Sequence, residues 1–578
     1  MLTSGVLARR VVLASALVAV GGGARTADAQ RVLGTVRDSA SREPLAGAVV
    51  TLLGASNAVI TRGLTDARGQ FRVDLSPAIQ RFRVVRIGFR PREIAAPISS
   101  ADTIRLTIDL AGLPSMLEPV EVRANSRCPR RSDDAATFAL LEQARAGLLA
   151  TVVSRQTDPA AMVRLTFDRL LDGTSDRIAH HAVRLDSAGA TEASFFASHS
   201  AADFVRDGFM DDDAGLQRFY APDARVLLDE AFASGYCFRV QHAPASRPNE
   251  IGLGFTAAAR RAMRVDVDGT LWIDTVARAL RDVEFRYDGL PDAVMRLHPG
   301  GTVSFREVVP GLVLVDRWTL RLVGAVDDTV PNPSAHGDPM VRTTFYLREE
   351  GGVLAHARWP DGRRWDAMLG RFTGRALRSD STPAVHVVLA LVGAPYKVGE
   401  TARDAGTPYR VTTDARGSFQ IPDLLAGPYS VIVIDPQLVP IDYQPPTGFA
   451  FVAHDGSTAT GTVSADRFED VIYGRCLAHP KFGRADSALV FGRAMTAAGQ
   501  PVAGVDLTLD WREARPPAKW HPTASYRGTG TDGLFFMCAK ALGDSIRTSG
   551  RINDHLVGEM VQPVAGHLTV VPLRVTRP

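Results

Sequence analysis

The chain has 578 residues, 45% apolar and 22% charged, with 66 Lys+Arg against 63 Asp+Glu and a net charge of +3. At ~100–200 residues per domain this is ordinary for several folded domains, each able to bury a core. The 51 Gly and 35 Pro favour short strands and turns over long helices; the cations are nearly all arginine, no dense basic patch stands out, and nucleic acid is not an implied partner.

Residues 1–29 read as a signal peptide. Arg9 and Arg10 give a positive start, Val11 to Val20 an apolar run, and Ala27-Asp28-Ala29 a small-x-small cleavage pattern that leaves Gln30 as the mature start. The apolar run is too short to span a bilayer. No cysteine lies near it to carry a lipid, and no later stretch reads as a membrane helix. The expected location is periplasmic, or extracellular and outer-membrane-associated. Export permits disulfides among Cys128, Cys237, Cys476 and Cys538, none of which forms Cys-x-x-Cys. The expected pairs are Cys476 with Cys538 and Cys128 with Cys237; four buried thiols are the alternative.

Residues 31–112 hold the first copy of an internal repeat: GTVRDSASREPLAGAVVTL from Gly34, then TDARGQFRV. Residues 113–157 are a linker and a helix, from Asp133 to Arg155, with Phe138, Leu141, Ala144 and Leu148 at helical spacing. Residues 158–366 return to strands. Leu271 to Asp274, Val283 to Tyr287, Thr302 to Phe305 and Trp318 to Leu322 alternate, with turns at Asp268-Gly269, Asp288-Gly289 and Gly300-Gly301. A second repeat copy opens at Gly374 within residues 370–462, and a third at Gly492 within residues 466–578. Aligned on Pro44, Pro383 and Pro501, the three share inward positions: Ala48, Val50, Leu52; Val387, Leu389, Leu391; Val505, Leu507, Leu509. Asp66 to Gly69, Asp414 to Gly417 and Asp532-Gly533 then form tight turns, after which Phe71, Phe419 and Phe535 point to the core. The second copy has His386 where the others have Gly47 and Gly504.

A leading strand with Gly, Pro-hydrophobic-x-Gly-hydrophobic, and Thr-Asp-x-x-Gly-x-Phe resemble the carboxypeptidase regulatory-like domain, a seven-stranded prealbumin-like sandwich. The resemblance implies three small antiparallel β-sandwiches (Ig-like or prealbumin-like); with the helical and alternating patterns between the first two copies, the chain reads as mainly β, with a central curved antiparallel β domain preceded by a helix. In the first copy, Phe82 to Phe89 and then Leu117 to Ala124 are similar to the N-terminal extension of TonB-dependent receptors. The chain is too short for the receptor barrel, so a shared module is implied and not a receptor. The central meander loosely resembles the sheet of periplasmic lipoprotein carriers.

No catalytic constellation is found. No His is followed three residues on by Glu, and His-Glu-x-x-His, Gly-x-Ser-x-Gly and phosphate-binding glycine motifs are missing. His180-His181 reads as one solvent-facing and one packed imidazole. Asp211-Asp212-Asp213 reads as a solvated turn before a calcium site. Asp266, Asp268 and Asp274 flank a hairpin. In the third copy Trp511, Pro516-Pro517, Trp520-His521 and Tyr526 form an insert whose Trp511, Trp520 and Tyr526 could stack on sugars or close the sandwich end. No catalytic residue, cofactor or metal is expected. The sequence favours a non-enzymatic exported envelope protein whose sandwiches serve spacing or protein interaction. A carbohydrate-binding protein is the alternative, and a hydrolase in the central domain ranks below both. The expected partner is an envelope protein or a glycan.

Overall fold

The computed structural model describes residues 30–97, 102–113, 135–171, 177–188, 198–213, 216–259, 264–330, 340–393, 406–436, 438, 449–468, 470–471, 474, 487–512, 520–526, 529–540, 546–552, 555–561 and 568–575. The chain forms two compact units: Met1–Met116 with Pro310–Leu312, and Leu117–Val309 with Val313–Pro578. The segments read as signal peptide and as receptor-like extension (Leu117 to Ala124), together with Cys128, Cys476 and Pro516-Pro517, lie outside the described residues.

The first unit holds β1 (Gln30–Asp38), β2 (Val49–Leu53), β3 (Val59–Leu64), β4 (Gln70–Leu75), β5 (Arg81–Val85), β6 (Arg92–Ala95) and β7 (Thr103–Leu110), in sheets of order β4-β1-β7 and β3-β2-β5-β6. The alternation in β4 buries Phe71, Val73 and Leu75 and exposes Gln70, Arg72 and Asp74. Its buried cluster is drawn wholly from its own strands and turns, with Val32, Val36, Phe71, Phe82 and Ile108 among its members. Neighbouring strands are antiparallel with one exception. β1 and β7 run parallel from Arg31↔Thr103 to Asp38↔Leu110, and the remainder of the sandwich is their crossover.

In the second unit, α1 (Ala135–Thr157) precedes a ten-stranded sheet. Its members are β8 (Ala161–Leu171), β9 (Ile178–Ala188), β12 (Tyr236–His242), β13 (Glu250–Ala257), β14 (Asp266–Asp274), β15 (Ala279–Asp288), β16 (Gly300–Val309), β17 (Leu312–Val330), β18 (Met340–Arg358) and β19 (Arg364–Asp366). The order is β12-β13-β14-β15-β16-β17-β18-β8-β9, with β19 paired to β18. Between β9 and β12 come α2 (Ala201–Asp207), the ribbon of β10 (Met210–Asp213) and β11 (Leu216–Phe219), α3 (Ala224–Leu228) and α4 (Glu230–Gly235). Helix α1 packs on β12, β13, β15 and α3. Its buried stripe runs through Leu140, Ala144, Leu148 and Thr151, whereas Phe138 is 66% exposed. Phe138 sits two residues from Leu140, about 200° round the helix, so it belongs to the opposite face. By length and mean hydropathy of 1.2, α1 could also cross a membrane, which the sequence reading did not credit; 56% of that apolar window is buried inside the protein.

The second sandwich consists of β20 (Gly370–Arg378), β21 (Val388–Gly393), β22 (Gly406–Thr412), β23 (Ser418–Leu424), β24 (Gly427–Ile434), β25 (Phe449–Ala453) and β26 (Thr458–Ala465). The third consists of β27 (Ser487–Thr496), β28 (Asp506–Arg512), β29 (Trp520–Tyr526), β30 (Leu534–Lys540), β31 (Ile546–Ile552), β32 (His555–Val561) and β33 (Leu568–Val575). Their sheet orders, β23-β20-β26 with β22-β21-β24-β25 and β30-β27-β33 with β29-β28-β31-β32, repeat the first sandwich strand for strand. The parallel pair recurs as β20 with β26 and β27 with β33.

The three copies share their local devices. Gly34, Gly374 and Gly492 stand opposite Phe71, Phe419 and Phe535 in register. A Cβ on Gly34 would lie 2.0 Å from Phe71 Cζ, so the ring occupies the space that any other residue would fill. Thr65, Thr413 and Thr529 are buried, and each hydroxyl clasps the proline-led segment. Oγ1 donates to the carbonyls of Leu45 (2.5 Å), Ala384 (2.7 Å) and Val502 (2.6 Å). It accepts from the amides of Ala48 (2.9 Å), Val387 (3.1 Å) and Val505 (3.1 Å). At the repeat's Gly position, Gly47 and Gly504 have φ of 68° and 75°, and His386 adopts φ 57° in their place.

Candidate functional site

The sheet of the second unit has two unlike faces. On one, Leu253, Val267, Leu271, Val283 and Tyr287 are buried. The other is set by opposite parity: Asp268, Thr270 and Trp272 on β14, Glu284 and Arg286 on β15, Thr302 on β16, Thr319 and Arg321 on β17. These line a groove of about 780 Å³ together with Arg239, Gln241, His298 and Glu349. The same alternation that identified the strands carried this signal; the sequence reading used only its apolar half.

At one end of the groove Arg247 is held by three carboxylates. It donates to Glu250 (2.8 Å), to Asp282 (3.0 and 3.1 Å) and to Glu284. The Trp272 indole N–H donates to Glu284 (3.0 Å), and the guanidinium of Arg247 lies 5.1 Å from the Trp272 ring centre. Burial pushes the Asp282 carboxyl up against the opposing pull of Arg247. Thr270 donates to Gln241 (2.8 Å). This is a fixed polar wall.

The polar row continues past the groove. In register, Arg321 faces Glu349, Glu349 faces Arg169, and Arg169 faces His181. There the second sandwich covers the sheet: β9 packs on β21, β22 and β24. One buried cluster runs from Leu165, Phe167, Val183 and Val353 of the sheet into Leu389, Tyr429 and Val431 of the sandwich. His181 is fully buried in this junction. Arg169 Nε donates to its Nδ1 (3.2 Å), which leaves Nε2–H to donate to Tyr429 Oη (3.2 Å), whose own hydroxyl donates to Leu425 O (2.7 Å). Burial first, then the charge of Arg169 and the neighbouring His180, lowers the His181 pKa to about 3. Gly393 and Gly427 make the fit possible, since a Cβ on them would lie 1.4 Å from His181 O and 2.6 Å from His181 Nε2.

The remaining sequence candidates do not converge. Asp266 is buried and bound by Arg264 (2.7 Å), and Asp274 accepts the amides of Val276 (2.9 Å) and Ala277 (2.7 Å) and the Arg281 guanidinium (2.6 Å). Only Asp268 of that trio reaches the groove. Asp211 lies on β10 and not in a solvated turn, because β11 pairs with it residue for residue. Its carboxylate accepts from Tyr220 (2.7 Å) and meets His199 Nε2 (3.2 Å). Among the described residues no group of three or more His, Cys, Asp or Glu is placed to hold a metal. The insert of the third sandwich is strand rather than loop on both sides of the prolines. Trp511 stands opposite His521, Trp520 opposite Arg512, and Tyr526 opposite Leu507. The two tryptophans are thus adjacent in register, with Tyr526 at the other end of the strand pair. Cys538 lies on β30 opposite Leu489. Cys237 is buried on β12.

Residues 31–111 match the family model of the carboxypeptidase regulatory-like domain. No curated protein matches the chain. Among solved structures, a streptococcal ancillary pilin is similar at 11% identity over 47% of this chain and 80% of its own, with a TM-score of 0.16. A Bacillus anthracis TIE protein is similar at 10% identity over 62% of this chain and 63% of its own, with a TM-score of 0.14. The shaft pilin SpaA from Lactobacillus rhamnosus GG is similar at 8% identity over 36% of this chain and 98% of its own, with a TM-score of 0.17. Superpositions this limited carry no functional argument.

Proposed function

We propose that this chain is an exported, non-catalytic envelope protein whose sandwiches act as spacers and docking modules. One observation carries the reading: the same sandwich occurs three times, each with its first and last strands parallel and adjacent. Parallel neighbours start at one end and finish at the other. The chain therefore enters each sandwich at one end and leaves from the opposite end, about 25 Å away for eight residues of strand. A module wired this way adds length, whereas one with both termini at the same end does not. The regulatory-like domain match over residues 31–111 supports non-catalytic modules. We pair Cys237 with Cys128 and Cys476 with Cys538, and place the mature start at Gln30. Crosslinking in intact cells followed by affinity purification should recover the chain from the envelope fraction, beginning at Gln30, with a specific envelope protein attached. Recovery from the cytoplasm with residues 1–29 retained would refute it. The glycan alternative rests on the aromatic residues Trp511, Trp520 and Tyr526 of the third sandwich; a glycan array probed with the native chain and with Trp520→Ala separates it, since spacing predicts no difference.

A further inference from the structure

The geometry points to a small-ligand site in the groove of the second unit, and we propose that it takes a ligand bearing a carboxylate or phosphate group, held between Arg286 and Arg321 over Gly300. Across the sheet, Asp268 faces Arg286 and Arg286 faces Gly300; the strand on the far side of Gly300 carries Arg321. Two arginine-bearing strands therefore flank one that has no side chain opposite Arg286, their backbones about 10 Å apart at two strand spacings. The glycine is required by the backbone: a Cβ on Gly300 would lie 2.2 Å from Phe285 O and 2.9 Å from Arg286 Cα, and one on Gly301 2.4 Å from Thr319 O. The floor is bare because the strands approach too closely for anything else.

The groove's carboxylates are already engaged. Glu284 accepts from Arg247 and Trp272, Glu349 lies 3.9 Å from Arg169, and Asp268 accepts from the Ala257 amide at 3.3 Å. The exposed guanidiniums of Arg286 and Arg239 have no hydrogen-bond or ion-pair partner among the described residues. Guanidinium forks match the planar or tetrahedral oxygens of carboxylate and phosphate, and the Thr302 and Thr319 hydroxyls on the neighbouring strands add donors to the same face. An acyl chain does not suit these walls, because burying it against arginine and carboxylate strips their hydration without replacing it. The volume of about 780 Å³ suits a small molecule or a few sugar units.

The test is calorimetric titration of the full mature chain at low salt with inorganic phosphate, citrate and trigalacturonate. At least one should bind saturably at one site per chain. Arg286→Gln and Arg321→Gln should each weaken it at least about tenfold, Arg286→Lys should fall between, and the exposed Arg105→Gln of the first sandwich should change nothing. Phosphate binding without the carboxylates, or the reverse, assigns the ligand's anionic group. Failure of all three probes to bind, or binding unchanged in both Gln variants whose circular dichroism matches the native chain, overturns the site.

Discussion

The first and second sandwiches are built from one template and stabilised in different ways. Both place a Phe ring over a strand Gly, clasp the proline-led segment with a buried Thr, and turn on an Asp that accepts amides two and four residues on. The first closes its core on itself. The second shares its core with the sheet beside it and buries a histidine in the junction. The same local chemistry thus yields one self-contained module and one that is half of a larger body. The difference lies in what β9 presents to β21, β22 and β24, and not in the repeat itself.

Separating the two parts of that body should produce the largest effect. Gly393→Val puts side-chain atoms where His181 O now lies, and should cost at least about 3–5 kcal/mol. Hydrogen exchange should rise across β8, β9 and the second sandwich and stay unchanged across residues 30–97; a uniform rise would show that the junction is not the local element described.

Acid should act on the same junction. The folded His181 pKa is about 3 against an ordinary value of 6.5. Between these values the unfolded chain binds a proton that the folded chain refuses, so stability is complete above about pH 6.5 and falls as pH drops. At about 1.4 kcal/mol per unit, roughly 2 kcal/mol is lost by pH 5. Arg169 and Tyr429 face the same ring and His180 is its neighbour along the strand, and none replaces this loss. His181→Gln should flatten that part of the pH profile in chemical denaturation; an unchanged slope would assign the acid sensitivity elsewhere.

The shared clasp gives a smaller and equal effect in both modules. Thr65→Val and Thr413→Val each remove one donor and one acceptor from a buried backbone pair and should cost about 1–3 kcal/mol. Similar losses in thermal unfolding would confirm that the template acts alike in both; a loss in only one would show that the junction has taken over its role. The smallest effect has the opposite sign. His386 holds φ 57° at a position where the other copies use Gly, so His386→Gly should stabilise the second sandwich by about 1 kcal/mol. A destabilisation would mean that the imidazole has contacts worth more than the strain.

What could be read from the sequence followed from how local the cause was. The repeat, its inward positions and the departure from Gly at His386 rest on turn chemistry and period-two burial within a few dozen residues, and Phe71, Phe419 and Phe535 are indeed buried. Thr65 stood inside the Thr-Asp-x-x-Gly motif, yet its clasp was not foreseen, because a hydroxyl's partners depend on how the preceding loop folds back. His181 could be read as packed; its partner Tyr429 lies 248 positions away and no local pattern names it. The groove escaped for a related reason: polar residues alternating with a core read as solvent-facing until the sheet brings seven strands of them together.

The parallel pairing at the margin of each sandwich also determines how the chain bears load. Tension applied through the two termini of the first sandwich pulls the start of β1 and the end of β7 in opposite directions along their shared axis. The register from Arg31↔Thr103 to Asp38↔Leu110 is then loaded in shear, so its hydrogen bonds must fail together and not one after another. The same holds from Arg371↔Thr458 to Arg378↔Ala465 and from Leu489↔Leu568 to Thr496↔Val575. A chain with this wiring at three places resists extension at each of them, and stretched end to end it should yield in discrete steps, one sandwich at a time.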